Sequence, residues 1–325
     1  MITIGIDVGG TNVVSGLFND EGRLIRSRKV PTETSQGSAG LLGQLAELCK
    51  TLLTEEGLPE GALSAVGIGL PGFIDFKTGE VDAANLPLVR TPVAQKLSEL
   101  IGVPVTVRND VKMIVYGESL RGVGKGFDHV LGLTLGTGLA SAWVSERKLH
   151  DGAAGLAGEI GHIAFSDIPY VCGCGMKGCL ETVVSATGIA RQARDGLAAG
   201  WVGLLAERFP PERRESLTAR DVWQAAVDGD GFAIETFRRT AGWLARALAP
   251  AIALLSPDII IVGGGVASSG ELFLQPLHAV LSSSLHPLYA ERLRIVTPAL
   301  GDEAGLYGSS EFAREHLSLA KEASA

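Results

Sequence analysis

Two short glycine turns constrain this chain more than any other feature. The first is Asp7-Val8-Gly9-Gly10-Thr11. It closes an apolar strand in which Ile2, Ile4 and Ile6 share one face, and a return strand over residues 12–17 follows at once. The second is Leu135-Gly136-Thr137-Gly138, set between the apolar runs 130–135 and 139–144. A strand, a glycine turn and a second strand therefore recur in the two halves, which points to a duplicated architecture.

The rest of the pattern fits that plan. Gly22 turns the return strand into a third, residues 24–30, making an antiparallel meander. Residues 64–70, 103–107, 258–262 and 294–297 read as further strands. Apolar residues at spacings of three and four mark helices over 41–53, 93–101, 111–120, 186–199 and 232–255, another from about residue 271, and a last one from residue 303. Pro250 predicts a kink in the helix over 232–255. Strands alternate with helices, so the fold class is α/β with mixed sheets flanked by helices. Gly122, Gly124 and Gly126 mark residues 121–127 as the boundary between the halves and as a hinge.

Composition narrows the function classes. Glycine supplies 43 of 325 residues, well above the usual ~7%. The hydrophobic share is 46% and mean hydropathy is +0.26, enough for a core and against disorder or a fibre. Net charge is -8 with no Lys/Arg-rich run, which argues against a nucleic-acid partner. The N-terminus has no basic segment, and the longest apolar stretch is too short to span a bilayer. The expectation is a soluble, cytoplasmic protein with no membrane partner.

Each glycine turn has a chemical and a plain reading. Backbone amides at Gly9 and Gly10, with the Thr11 hydroxyl, suit a phosphate, and Asp7 suits a hydrated Mg²⁺. The plain alternative is a hairpin capped by Asp7. Gly136, Thr137 and Gly138 repeat the phosphate design, against an unrelated hairpin. Gly263-Gly264-Gly265, after the strand 258–262, admits a flat nucleoside against the backbone, or is a loose strand-to-helix turn. Asn109-Asp110 stands between a strand and a helix. Asp110 suits a general base with Asn109 holding the same substrate, or the two form a helix cap.

Cysteine usage adds a metal candidate. Cys49 reads as a packed core residue. His162, Cys172, Cys174 and Cys179 supply four ligands for a closed, structural Zn²⁺ site, with a disulfide or packed thiols as the alternatives. Glu159 and Glu181 flank the site and suit sugar hydroxyls, although isolated glutamates are more often surface residues.

Together these motifs resemble the ROK family of sugar kinases and repressors, from Asp7 to about Gly308. The resemblance rests on Asp7-Val-Gly-Gly-Thr11, Gly69-Leu-Pro-Gly72, Asn85-Leu-Pro87, Asn109-Asp110, Leu135-Gly-Thr-Gly138, Glu159-Ile-Gly-His162, the run Cys172 to Glu181 and Gly263-Gly-Gly-Val266. It implies an actin-like (ribonuclease H-like) ATPase fold of two lobes. Residues 1–120 would form the N-terminal lobe, with the C-terminal helix 303–325 packing back on it. Residues 121–302 would form the C-terminal lobe.

The resemblance also implies ATP-dependent phosphorylation of a hexose, glucose first, with Asp110 as general base for the C6 hydroxyl. N-acetylmannosamine, N-acetylglucosamine, allose and fructose are the alternative acceptors, and a non-catalytic sugar sensor is the alternative of another class. Gly72, Asn85, Asn109, Asp110, Glu159, His162 and Glu181 would bind sugar. Asp7, Gly9, Gly10, Thr11, Asn12, Gly136, Thr137, Gly138, Gly263, Gly264 and Gly265 would bind ATP with Mg²⁺. His162, Cys172, Cys174 and Cys179 would bind Zn²⁺, and His162 would turn its other ring nitrogen to the sugar. The family suggests a homodimer or homotetramer. Val111-Lys112-Met113, where the family often has Ala-Asn-Ala, and Ala140-Ser141-Ala142, where it often has more glycine, depart from the pattern, and Lys112 should alter the surroundings of the site. The chain begins at its first strand, without a helix-turn-helix before it, which favours an enzyme.

Overall fold

Alternating isoleucines place the first strand, β1 (Ile2–Val8), at the centre of a sheet rather than at a surface. Thr3, Ile4, Ile6 and Val8 are all fully buried, so both faces of the strand are covered. On one side β1 pairs antiparallel with β2 (Asn12–Phe18), and β2 with β3 (Leu24–Pro31). On the other it pairs in parallel with β4 (Leu63–Leu70). A small antiparallel sheet follows, β5 (Phe73–Ile74), β6 (Val81–Ala83) and β7 (Leu88–Thr91). Next, β8 (Val105–Asn109) pairs in parallel with β4 and completes the order β3-β2-β1-β4-β8.

Helices cover this sheet by two different means. Helix α1 (Gly37–Glu55) buries Leu41, Leu45, Leu48 and Leu52 in one apolar cluster with Ile4, Ile6, Val66 and Ile68. Helix α2 (Val93–Ile101) adds Val93 and Leu97 to the same cluster. The C-terminal helix, Ala304–Ala323, relies on close backbone approach instead. A Cβ at Gly67 on β4 would strike the Ser309 carbonyl oxygen. One at Gly308 would strike the Met113 carbonyl oxygen on helix α3 (Asp110–Arg121). Part of the glycine excess is explained here, where side chains would hold the helices off.

The structure is a computed structural model that describes residues 1–323; residues 324 and 325 of the expected last helix lie outside the described residues. The chain divides into two compact units. Unit 1 comprises residues 1–126, 142–157 and 298 onward; unit 2 comprises 127–141 and 158–297.

Unit 2 repeats the strand, turn, strand opening with β9 (His129–Leu135) and β10 (Leu139–Ser145). The end of β10 falls in unit 1 and pairs antiparallel with β11 (Lys148–Leu149). Next, β12 (Ile259–Gly263) pairs in parallel with β9 and with β13 (Ile295–Val296). The helix Gly231–Leu255 buries Phe237, Ala241, Leu244 and Leu248, as the apolar stripe predicts. It runs unbroken through Pro250, and its stripe ends on Ile252 instead of Ala251 and Leu255. The sheet β5–β7, the helix Ala219–Val227 and the short helix Leu204–Arg208 have no counterpart in the periodicity reading.

Candidate active site and metal centre

Asp7 stands at the end of β1, and the turn behind it is tight. The Gly9 amide donates to the Asn12 carbonyl at 2.9 Å. Thr32 locks the turn from β3's end, its hydroxyl donating to the Gly9 carbonyl at 2.6 Å and its amide to the Thr11 carbonyl at 2.9 Å. Asn85, in the turn before β7, lies against Gly10; a Cβ there would come within 3.4 Å of the Asn85 Cβ. Gly72 packs on Asp82 and Ala83 of β6 with φ of 108°, a conformation that favours glycine.

Asn109 and Asp110 stand at the junction of β8 and α3. Asn109 is still extended (φ -61°, ψ 141°) and caps α3, its side chain accepting from the Val111 amide at 3.0 Å and more weakly from Lys112. The strand consequently runs two residues further than the apolar run implies. Asp110 is the first residue of the helix and accepts from the Val111 amide at 2.8 Å. Burial raises its carboxyl above the usual carboxylate range, partly offset by hydrogen bonds from Val111, its own amide and Asn109.

Asp7 is perturbed further. Its carboxyl is pushed up to about 7, first by burial and then by the negative charges of Asp110 and Asp302. Asp302, in the turn Gly301–Glu303, was not singled out from the sequence. Its only sequence signal is a carboxylate just ahead of the last helix. A buried carboxylate whose ionisation two neighbouring carboxylates disfavour belongs to a donor set suited to a hard divalent cation.

Lys112 does not carry a free charge next to Asp110. It is buried, and its ammonium donates to Asp151 at 2.9 Å and to the Gly155 carbonyl at 2.8 Å.

In unit 2 the second and third glycine turns lie side by side. Gly263 is in register with Thr134, and the Val266 amide donates to the Leu135 carbonyl at 3.1 Å. Gly264 has φ of 87°, and a Cβ on it would strike the Leu135 carbonyl. The helix Ala186–Ala198 starts against the second turn, the Ala186 amide donating to the Gly136 carbonyl at 2.8 Å and the Thr187 hydroxyl to the Thr137 carbonyl at 3.2 Å. Beside Gly265 and Val266 opens a mainly apolar pocket of about 390 Å³, lined also by Ile189, Arg220, Trp223 and Phe237. Arg220 and Trp223 belong to the helix that the periodicity reading lacks.

The ligand atoms of His162, Cys172, Cys174 and Cys179 all lie within 4.8 Å of one another. Cys172 Sγ is 3.8 Å from His162 Nδ1, and Cys174 Sγ is 3.6 Å from Cys179 Sγ. Tetrahedral zinc with bonds of ~2.0–2.3 Å sets its ligands roughly 3.4–3.8 Å apart. All three cysteines are free, and 3.6 Å is far beyond a disulfide bond of ~2.05 Å. Two antiparallel bridges fold the loop onto itself, Ala164 to Cys179 and Val171 to Lys177.

His162 faces two ways. Its Nδ1 looks to the thiol cluster, while Nε2 lies 3.9 Å from Glu159 Oε2. Ser141 holds the Glu159 segment, its hydroxyl and amide both meeting the Gly158 carbonyl at 2.8 and 2.9 Å. The departure Ala140-Ser141-Ala142 thus supplies an anchor. Glu181 links the two sites of unit 2: one oxygen accepts from Cys172 Sγ at 2.9 Å, the other from the Leu139 amide at 3.4 Å.

Known proteins resemble this chain over nearly its whole length. The model of the ROK family matches residues 3–316. A glucokinase of Halalkalibacterium halodurans is 35% identical, over 94% of this chain and 92% of that protein. A glucokinase of Thermotoga maritima is 32% identical, over 97% and 98%. A ROK hexokinase structure from Thermus thermophilus superposes with a TM-score of 0.85 at 28% identity, covering 98% of this chain and 99% of that one. A ROK family glucokinase from Streptomyces griseus, solved in complex with glucose and AMPPNP, gives 0.76 at 32% identity, covering 97% and 100%. The α/β fold with mixed sheets is that of these sugar kinases. No helix among the described residues is long and apolar enough to cross a membrane.

Proposed function

The chain belongs to the ROK family, and on that premise we propose that it is an ATP-dependent sugar kinase that phosphorylates glucose on its C6 hydroxyl. The observation that carries the reading is Asp110, a carboxylate at the first position of a helix, raised by burial and held by the cap residue Asn109. Asp110 takes the proton of the accepting hydroxyl as the phosphoryl group arrives, and its raised affinity for a proton suits that task. Full-length likeness to glucokinases at 32–35% identity supports glucose as the acceptor.

The other residues bind and orient. Gly72, Asn85, Asn109, Glu159, His162 and Glu181 hold the sugar; His162 offers Nε2 to a hydroxyl while Nδ1 faces the cysteines. The amides of Gly9, Gly10, Gly136 and Gly138, with the hydroxyls of Thr11 and Thr137 and the side chain of Asn12, hold the phosphates. The pocket beside Gly263, Gly264 and Gly265 takes the adenine, with Trp223 as its apolar wall. Asp7, with Asp302, would hold a hydrated Mg²⁺, which supplies charge neutralisation at the β- and γ-phosphates. His162, Cys172, Cys174 and Cys179 would hold Zn²⁺, which supplies structure and no open coordination position.

ATP as co-substrate and a cluster of free thiols both suit the cytoplasm. The homodimer or homotetramer rests on the family resemblance alone. A second reading, an N-acetylhexosamine kinase, is favoured by 33% identity over 82% of this chain to an N-acetylgalactosamine kinase of Shewanella. ADP release measured against a panel of hexoses and N-acetylhexosamines separates the two. Turnover led by glucose supports the first reading. Tight sugar binding with no turnover on any sugar rejects both.

A further inference from the structure

Glu118 is a carboxylate with no solvent exposure at all, on the third turn of α3, the helix that Asp110 begins. Its carboxylate takes three backbone amides from two distant segments. Val123 donates to one oxygen at 3.1 Å. Ala299 and Leu300 donate to the other at 2.9 and 2.7 Å. Its carbonyl takes two more, from Gly122 at 3.1 Å and Gly124 at 3.0 Å.

These segments have a particular place in the chain. The chain first leaves unit 1 after Gly126, re-enters it for residues 142–157, and returns for the last time at Pro298. Val123 thus lies three residues before the first crossing, and Ala299 one residue after the last. A single side chain binds these two of the four crossings, the first and the last, on the unit 1 side of each.

The glycines there divide accordingly. A Cβ at Gly122 would strike Glu118 Oε2, and one at Gly124 would come within 2.7 Å of Ser119 Cα. Those two are packed against the end of α3. Gly126, by contrast, has φ of 94° and open space around its Cα.

We propose that Glu118 is a positioning residue that ties the first and last inter-unit crossings to the helix bearing Asp110, so that flexing at the first crossing starts at Gly126 rather than at Gly122. Asp110 then moves as one body with these two crossings. A buried carboxylate suits this role because an ionised acceptor makes short, strong bonds to amides, and no neutral side chain of its length accepts on both ends. The role rests on the phosphotransfer reading only for its kinetic consequence.

The test is Glu118→Gln in the full-length protein, with hydrogen exchange at single-amide resolution and steady-state kinetics. Gln keeps the shape but presents one donor end, so it faces either Val123 or the Ala299–Leu300 pair with an N–H. Exchange should rise at least 10-fold at one of those crossings, with the amides of β1 and β4 unchanged. The kcat should fall about 10-fold, with KM for glucose and ATP within about 2-fold. Glu118→Asp, too short to reach both crossings, should behave like Gln. Unchanged exchange at both crossings, or faster exchange with wild-type kcat, overturns the proposal. So does a uniform rise in exchange across unit 1, which marks a purely structural role. If the unmodified protein phosphorylates no sugar, the kinase reading fails by itself, and the exchange pattern still decides whether Glu118 ties the crossings.

Discussion

Lys112 Nζ lies 2.9 Å from Asp151 Oδ1, and Arg108 Nε lies 2.8 Å from the other oxygen of the same carboxylate. One acid thereby neutralises two cations of unit 1, the second stacked on Phe76 and Phe312 at 4.4 and 4.5 Å. The Lys112 side chain is only 4% exposed, so it has no water to fall back on.

Removing Lys112 should therefore weaken the fold more than the chemistry. Lys112→Met leaves Asp151 with Arg108 as its partner, which keeps the cost below the ~3–5 kcal/mol of a fully broken buried pair; we expect about 2 kcal/mol. Urea denaturation measures it. An unchanged midpoint, or a loss of turnover without loss of stability, counts against the assignment.

Asp7 should make stability depend on pH. Its folded pKa of about 7 lies above the ordinary 3.8, so the folded state holds a proton that the unfolded state has released. Stability is then greatest below about pH 4 as far as this group is concerned. It falls as pH rises toward 7, by at most ~4 kcal/mol for a shift of this size. Asp7→Asn should be more stable than the parent at pH 8 and flatter between pH 4 and 7, yet nearly inactive. Mg²⁺ should stabilise the parent at pH 8 and leave Asp7→Asn unmoved. Parallel pH curves for the two proteins would remove Asp7 from this role.

The cysteine cluster should bind one metal ion per chain. Cys174→Ser should lower zinc content measured by atomic emission and reduce the melting temperature, since the ion's binding energy is folding energy. Full stability and activity in protein stripped of zinc would contradict a structural metal.

Trp223 should matter to ATP and not to sugar. Trp223→Ala removes roughly 50–80 Å² of apolar contact from a bound base, at ~25 cal/mol per Å², or a 10- to 30-fold rise in KM for ATP. KM for glucose should stay within about 2-fold. Equal changes in both would place the adenine elsewhere.

Local chemistry made much of this molecule legible in the sequence. Ile4 and Ile6 mark a strand by spacing alone, Asn109 announces a cap, and His162 with three cysteines announces a donor set. What stayed hidden depends on contacts far along the chain. Lys112 finds Asp151 39 residues away, and Glu118 finds Leu300 182 residues away. Asp302 matters through its field at Asp7, which no spacing encodes. The sheet β5–β7 is built from strands of two to four residues, too short for a period of two to register.

The most direct test is turnover of Asp110→Ala, followed by ADP release on glucose and by calorimetry of glucose binding. Loss of a general base should lower kcat on the order of 10²–10⁴-fold, with glucose affinity largely kept. Near-normal turnover in that variant would contradict Asp110 as the base, and with it the account of how this chain moves a phosphoryl group.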